Sequence, residues 1–280
     1  MVKNLNISIV LYNSDFAEIS NLVKALKENT CINQVYIIDN SPIRNNAFDI
    51  CDANYIFKGK NIGYGAGHNF AIQKTINNGV KYHLALNPDI IIEADVIDRL
   101  LKYLEENNDI GLIMPKIKYP DGQIQHLCKL LATPIDLIGR RFIPLKKWIN
   151  ERNNKYELRF NGYNKTMQVP SLSGCFMLLR TEVLKVVGGF DERFFMYCED
   201  FDLCRRIGQV SKTIYYPDVS VIHNYEKGSY KNSKLLRYHI QSSVKYFNKW
   251  GWFFDKERRR INNDTLDRLG YKNRTNKSFQ

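Results

Sequence analysis

Short apolar runs alternate with stretches of helical spacing along the first half of the chain. Residues 5–12 (Leu-Asn-Ile-Ser-Ile-Val-Leu-Tyr) are apolar enough for a buried strand, which stops at Asn13-Ser14-Asp15. Ser14 suits a helix N-cap, and Ile19, Leu22, Val23 and Leu26 recur on one face behind it. Residues 34–38 form a second strand, ending at Asp39-Asn40-Ser41-Pro42. Strand, helix and strand within about forty residues predict a right-handed crossover and a parallel sheet. Ligands of such sheets bind beyond the carboxyl ends of the strands, where Tyr12, Asn13, Asp39 and Asn40 fall.

The alternation continues through Asn61-Ile62-Gly63-Tyr64-Gly65-Ala66-Gly67-His68-Asn69, which leads into a helix bearing Phe70, Ala71, Ile72 and Ile76. Glycines at alternate positions let a ligand approach the backbone, and the helix N-terminus favours a phosphate. The spacing matches neither the dinucleotide fingerprint nor a Walker loop, so a tight turn explains it equally well. Residues 82–86 are a strand closed by Asn87-Pro88-Asp89, where Pro88 stops the pairing and Asp89 occupies another strand end. A plain turn is the competing explanation. A helix over 95–107 and a strand over 110–115 complete this β/α half.

Periodicity fades from 119 to 168. Leu130, Leu131, Ile135, Leu137, Ile138, Phe142, Ile143, Leu145 and Trp148 are interleaved there with Arg140, Arg141, Lys146 and Lys147. Such a stretch is either an excursion from the core or an amphipathic piece at a lipid interface. Residues 171–180 resume as a strand, Thr181 caps a short helix, and Gly188-Gly189 ends it. Phe194-Phe195-Met196-Tyr197-Cys198 then precedes Glu199, Asp200 and Asp202, with Phe201, Leu203, Cys204 and Ile207 on one helix face. Acids in a first helical turn need no further explanation than the free N–H groups there. The aromatic run adds something else, since it can exclude water and hold one carboxylate as a general base. Strands over 213–217 and 219–223 follow, the second closed by His223, a place where a lone histidine is ordinarily structural.

Charge changes the picture mainly at the end of the chain. The 280 residues carry a net charge of +12, yet residues 231–280 alone hold 13 Lys and Arg against four Asp and Glu. Anionic partners are therefore expected: nucleotides or a membrane surface rather than nucleic acid, for which no motif is present. From Lys234 on, Leu236, Ile240, Val244, Phe247 and Phe254 keep helical spacing beside Trp250 and Trp252. This basic aromatic helix suits an anionic bilayer, or else docks on the core with a solvated basic face. Six cysteines without close pairing argue against zinc. No signal peptide pattern and no apolar run of about 18 residues appear, so a reduced, cytoplasmic, non-spanning protein is expected.

Taken in order, these motifs resemble the family 2 glycosyltransferases of the GT-A fold, in their bacterial rhamnosyltransferase-like branch. The resemblance covers roughly residues 5 to 250. It is carried by 9–13, 38–41, 61–69, Leu86-Asn87-Pro88-Asp89, Ser173-Gly174-Cys175-Phe176, Gly188-Gly189-Phe190-Asp191, 194–206 and His223. It implies a Rossmann-like, mostly parallel central sheet flanked by helices, with a basic amphipathic C-terminal helical extension. The GT-A catalytic domain would span 1–230, its nucleotide-sugar half 1–118 and its acceptor-side half 119–230, leaving 231–280 as the extension.

The implied reaction is an inverting transfer from a nucleotide-diphosphate sugar, with dTDP-L-rhamnose favoured and a UDP-hexose or UDP-galactofuranose as alternatives. Asp200 would be the general base and Glu199 its neighbour toward the acceptor. Tyr12, Asn13, Asp39, Asn40, Asn61, Gly63, Gly67, Asn69, Asn87 and Asp89 would line the nucleotide-sugar site, and Gly174, Cys175 and Tyr197 the acceptor side. Asp89 and His223 would hold Mg2+ or Mn2+; Asn87 stands where the family's metal motif has its first aspartate. The implied acceptor is a polyprenyl-diphosphate-linked glycan of O-antigen, capsule or cell-wall assembly, met at the cytoplasmic face of the inner membrane. A second copy of the chain is a further candidate partner. Two rivals remain: a basic nucleic-acid-binding protein, and a nucleotidyltransferase on a similar sheet, which would release free diphosphate.

Overall fold

The apolar runs of the first half become strands β1 (Leu5–Leu11), β2 (Ile32–Asp39), β3 (Asn54–Phe57) and β4 (Tyr82–Leu86). All pair in parallel, in the order β3-β2-β1-β4. The structure is a computed structural model and describes residues 3–139, 143, 145–224 and 233–271. Arg140, Arg141 and Phe142 lie outside the described residues, as does the chain beyond 271.

Past β4 the sheet becomes mixed. Strand β8 (Phe176–Arg180) joins β4 antiparallel and also pairs antiparallel with β6 (Ile110–Lys118). Strand β9 (Lys212–His223) runs parallel to β6, and two-residue strands β5 (Ile90–Ile91) and β7 (Met167–Gln168) lie antiparallel on β9. The sequence suggests two strands where β9 is one. Pairing jumps from Pro115–Tyr216 to Lys116–Ser220, so Pro217, which has no N–H to give, sits in a bulge.

Helices α1 (Phe16–Lys27), α2 (Tyr64–Asn77), α3 (Ala94–Glu106), α4 (Pro134–Leu137), α5 (Lys146–Tyr156), α6 (Thr181–Val187) and α7 (Glu199–Ile207) precede α8 (Ser233–Trp250) and α9 (Lys256–Arg268). Asp15, not Ser14, caps α1, its carboxylate accepting the Glu18 N–H. Among the described residues of the 130–148 segment, Leu130, Leu131 and Leu137 are buried, Ile138, Ile143 and Trp148 are half-buried, and Ile135 and Leu145 are exposed.

Helix α8 turns its aromatic face to the protein. Tyr246 and Phe247 are fully buried in the same core as β1 and α7. Asp202 of α7, which has no exposed side-chain surface, meets Arg206 at 2.8 Å, Lys249 at 2.5 Å and the Trp250 indole N–H at 2.8 Å. Arg205 binds the Asp255 carboxylate through two nitrogens at 2.6 and 2.9 Å and stacks 4.2 Å from the Trp250 ring. Breaking one partner of so buried a pair costs several kcal/mol, about 3–5 in typical cases.

Beneath β1 lies a polar cluster inside the core. Ser8 Oγ is 2.6 Å from His68 Nδ1 and 2.8 Å from His83 Nε2, and Thr75 Oγ1 is 2.7 Å from His83 Nδ1. Burial keeps both imidazoles neutral, with His83 lowered to about 3. Below pH 6.5 the unfolded chain takes up a proton that folded His83 refuses. Its contribution is therefore complete above 6.5 and is lost as pH falls toward 3. Replacing His83 by Gln should remove about 2 kcal/mol from the stability lost between pH 7.5 and 5. Urea titrations of both proteins at the two pH values check this, and an equal pH dependence would assign the slope to other groups.

Candidate active site

Helix α7 is entered through two consecutive non-glycine residues in the left-handed region, Tyr197 (φ 69°) and Cys198 (φ 67°). This uncommon backbone swings the chain so that Glu199 and Asp200 fall in the first turn, at the positive end of the helix. Asp200 is held by two backbone donors, Gly174 N–H to Oδ2 at 3.0 Å and Phe201 N–H to Oδ1 at 2.8 Å. Glu199 is 6% exposed, and its Oε2 has no hydrogen-bond partner. Burial, then the neighbouring Asp200 charge, pushes the Glu199 carboxyl well up. Burial raises Asp200 as well, but the Lys129 ammonium and the two N–H groups oppose it. Of the two, Glu199 keeps the proton and Asp200 takes the charge.

The second cluster forms where β4 ends. Strand β5 pairs Ile90 with His223, which brings Asp89 beside the imidazole. His223 Nε2 lies 3.3 Å from Asp89 Oδ1 and 3.3 Å from Asn87 Nδ2. Asp89 Oδ1 is buried and receives no well-directed hydrogen bond. Burial pushes this carboxyl up, but His223, the backbone and the Asn87 side chain together hold the group below its ordinary value. A carboxylate oxygen lacking a donor beside an imidazole nitrogen fits a hard divalent cation. Among the described residues no three His, Cys, Asp or Glu side chains converge.

Tyr64 joins the two clusters. Its Oη is 2.6 Å from the Gly174 carbonyl and 3.1 Å from Asn87 Oδ1. Asp200, Gly174, Tyr64, Asn87, His223 and Asp89 thus form one connected rim.

The nucleotide-side residues sit at the same end of the sheet. Asp39 is 1% exposed, accepting the Tyr55 hydroxyl at 2.7 Å and the Ser41 N–H at 2.9 Å. Asn13, in the left-handed region at φ 53°, donates its N–H to Ser41 Oγ, and Tyr12 is 51% exposed beside it. Asn40 donates to the Gly63 carbonyl, and Asn61 Oδ1 accepts the Gly63 N–H.

The glycines do a different task from the one their spacing suggests. Helix α2 begins at Tyr64, inside the motif, and protein rather than ligand fills the space they leave. A Cβ on Gly63 would meet the Phe195 carbonyl at 2.5 Å, one on Gly65 the Phe190 side chain at 2.7 Å, and one on Gly67 Val10 at 2.8 Å. Gly67 therefore packs α2 on β1. Asn69 is likewise structural in its contacts, tying the Phe190 N–H and carbonyl to α2. Cys175 is buried, its thiol pushed up to about 12 by burial, and it serves through its carbonyl, which accepts the Asn87 N–H.

Three side chains at this rim were not anticipated. Tyr64 had a signal, its place between the glycines. Lys129 and Gln125, which contacts His223, had none, because they lie where periodicity fades. Lys129 sits 5.2 Å over the Phe201 ring. Replacing it by Met removes the cation that lowers Asp200, so the Asp200 carboxyl should titrate at higher pH. Carbon-detected NMR of the carboxyl measures it, and an unmoved midpoint would exclude Lys129 from the site's electrostatics.

No family model matches the chain. It is 28% identical over 218 residues to the rhamnosyltransferase WbbL of Escherichia coli, covering 74% of this chain and 75% of that protein. It is 28% identical over 205 residues to the N-acetylglucosaminyl-diphospho-decaprenol L-rhamnosyltransferase of Mycobacterium tuberculosis, covering 66% of this chain and 64% of the relative. The dTDP-rhamnosyl transferase RfbF of Shigella flexneri is 24% identical over 230 residues, covering 80% and 70% of the two chains. Among solved structures, GalNAc-T7 with UDP, GalNAc and Mn2+ superposes with a TM-score of 0.60 at 13% identity, over 87% of this chain and 48% of that one. The chain has the fold of the GT-A glycosyltransferases, and the three relatives named above are rhamnosyltransferases.

Proposed function

We propose that the chain is an inverting glycosyltransferase that moves L-rhamnose from dTDP-L-rhamnose to a hydroxyl of a lipid-linked glycan. The observation that carries this reading is the connected rim from Asp200 through Tyr64 to Asp89 and His223. Displacement at an anomeric carbon needs a base for the incoming hydroxyl and neutralisation of the departing diphosphate, side by side. The names of the homologues favour rhamnose, dTDP as carrier and a prenyl-diphosphate acceptor.

Asp200 takes the acceptor hydroxyl's proton, aimed by the Gly174 and Phe201 N–H groups. Neighbouring Glu199, protonated, adds no second negative charge. Asp39, Asn40, Tyr12 and Asn13 hold the nucleoside at the ends of β1 and β2. Asp89 and His223 would hold a divalent cation, Mg2+ or Mn2+, which would supply positive charge against the leaving diphosphate. Residues 1–230 carry out the transfer; of the 231–280 extension, α8 and the start of α9 buttress α7, and the turn between them offers a membrane contact.

Asp200→Asn keeps the shape and removes the base, so kcat should fall about 100-fold or more. The companion measurement is a thermal-shift panel of nucleotide sugars with and without Mn2+, in which dTDP-L-rhamnose should stabilise most. Transfer by the variant within a few fold of normal rules out Asp200 as the base. Stabilisation by a UDP-hexose alone replaces the donor, and stabilisation by none removes the activity.

For the membrane contact, Phe253 and Phe254 are 70% and 96% exposed between α8 and α9, beside exposed Lys256, Arg259 and Arg260. Apolar tips with adjacent cations suit an anionic lipid surface. The described residues contain no helix long and apolar enough to cross a membrane. Changing both phenylalanines to Ser should weaken sedimentation with phosphatidylglycerol vesicles about tenfold or more while sparing transfer to a soluble acceptor. Undiminished binding would place the membrane contact elsewhere.

A further inference from the structure

Gln125, 3% exposed, grips His223 at two points. Its Nε2 donates to the His223 carbonyl at 2.8 Å, and its Oε1 lies 3.0 Å from His223 Nδ1. The Lys118 carbonyl is also near that Nε2, at 3.4 Å. Carbonyls accept only, so the amide end facing them is the nitrogen and Oε1 is left to accept. The imidazole proton must therefore sit on Nδ1. Of the two ring nitrogens, Nε2 is then the one that can offer a lone pair to a cation, and it lies 3.3 Å from an atom each of Asn87 and Asp89.

A similar count applies to Tyr64. Its hydroxyl has one proton and two neighbours, the Gly174 carbonyl at 2.6 Å and the Asn87 amide at 3.1 Å. The shorter contact, to an obligate acceptor, takes the proton. Toward Asn87 the Tyr64 oxygen is then an acceptor. An amide has nearly the same shape with its nitrogen and oxygen exchanged. With the nitrogen toward Tyr64, Asn87 Oδ1 faces His223 Nε2 and joins Asp89 Oδ1. Three acceptors so close repel one another unless a cation lies among them. Bonds of about 2.1 Å to a hard octahedral cation set neighbouring ligand atoms about 3 Å apart, close to the spacing here.

We propose that Asn87 is a cation ligand through its amide oxygen and that Gln125 and Tyr64 are the residues that orient the ligand set. Gln125 fixes the His223 tautomer, and Tyr64 receives the Asn87 nitrogen when the amide turns over. The inference rests on Asp89 and His223 as cation ligands. With no ion the amide nitrogen donates to Nε2, as placed. Entry of the ion exchanges that hydrogen bond for one to Tyr64, so the turnover sacrifices none. An asparagine can in this way occupy the first position of the motif without emptying the site.

The test is Mn2+ binding by the full chain, read from loss of the free-ion EPR signal with and without dTDP. Gln125→Met, which cannot accept the Nδ1 proton, should weaken binding about 10- to 100-fold. Asn87→Leu should weaken it at least about tenfold and Asn87→Asp should not. Imidazole 15N shifts supply a metal-free readout: wild-type His223 should be the Nδ1–H tautomer, and Gln125→Met a mixture. Should Gln125→Met not fold, as judged by its melting curve, the Asn87 pair at the rim decides. If Asp89→Ala abolishes Mn2+ binding while Asn87→Leu and Gln125→Met bind normally, the cation stands and this inference falls. If the wild type itself binds no Mn2+, the cation assignment and the inference fall together.

Discussion

One hydroxyl group holds the two halves of the rim in register. Tyr64 Oη reaches both the turn after β4 and the Gly174 carbonyl, whose own N–H carries Asp200. For that reach, α2 must start close to β1 and to the loop before α7. The glycines make this possible: side chains at 63, 65 or 67 would strike Phe195, Phe190 or Val10. The Tyr64 ring is fixed in turn against His68, at 4.4 Å between centroids, and Phe190, at 6.0 Å. A phenylalanine would fill the same space but leave the Gly174 carbonyl and the Asn87 amide without their common partner.

The far side of the rim is fixed by charge rather than by apolar contact. Helix α7 carries Asp202 and Arg205 inward, and both are matched by residues of α8, α9 or the turn between them. Such pairs add little net stability relative to well-packed apolar side chains, but they tolerate only one arrangement. The left-handed pair Tyr197-Cys198 is compatible with this arrangement, because Ser242 of α8 also donates to the Met196 carbonyl at 2.7 Å. Backbone strain at the entrance to α7 is thus held by a helix some fifty residues later in the chain.

Much of the framework can be read from the chain because burial leaves a local trace. Strands β1, β2 and β4 and the apolar faces of α1 and α7 are visible in their periodicity, and the acidic turn stands out by composition. What periodicity lacks is any record of long-range pairing. The insertion of β8 antiparallel between β4 and β6 depends on where a distant segment returns, and the bulge at Pro217 depends on the register of β6. Gln125 and Lys129 were invisible for the same reason: each matters through a neighbour about seventy or more positions away. The glycine motif shows the converse, since its spacing was legible while its cause, protein against protein, was not.

The distribution of charge shows how far composition can be trusted. Thirteen Lys and Arg in the last fifty residues suggest a broad anionic partner. Several of these charges are consumed internally. Lys249 meets Asp202 and Asp191, and Arg258 reaches the carbonyls of Ala132, Gly251 and Trp252. A buried guanidinium bonded to carbonyls attracts no lipid headgroup, because the surrounding acceptors already balance it. The cations still facing solvent near the α8–α9 turn are few, and an exposed charge contributes only about 1 kcal/mol each at an anionic surface. Two exposed phenylalanine rings outweigh them, at about 1.5–3 kcal/mol for each ring fully buried. The proposed membrane contact at this turn would therefore be set first by the rings and only second by charge, and would survive added salt better than that of a polybasic segment.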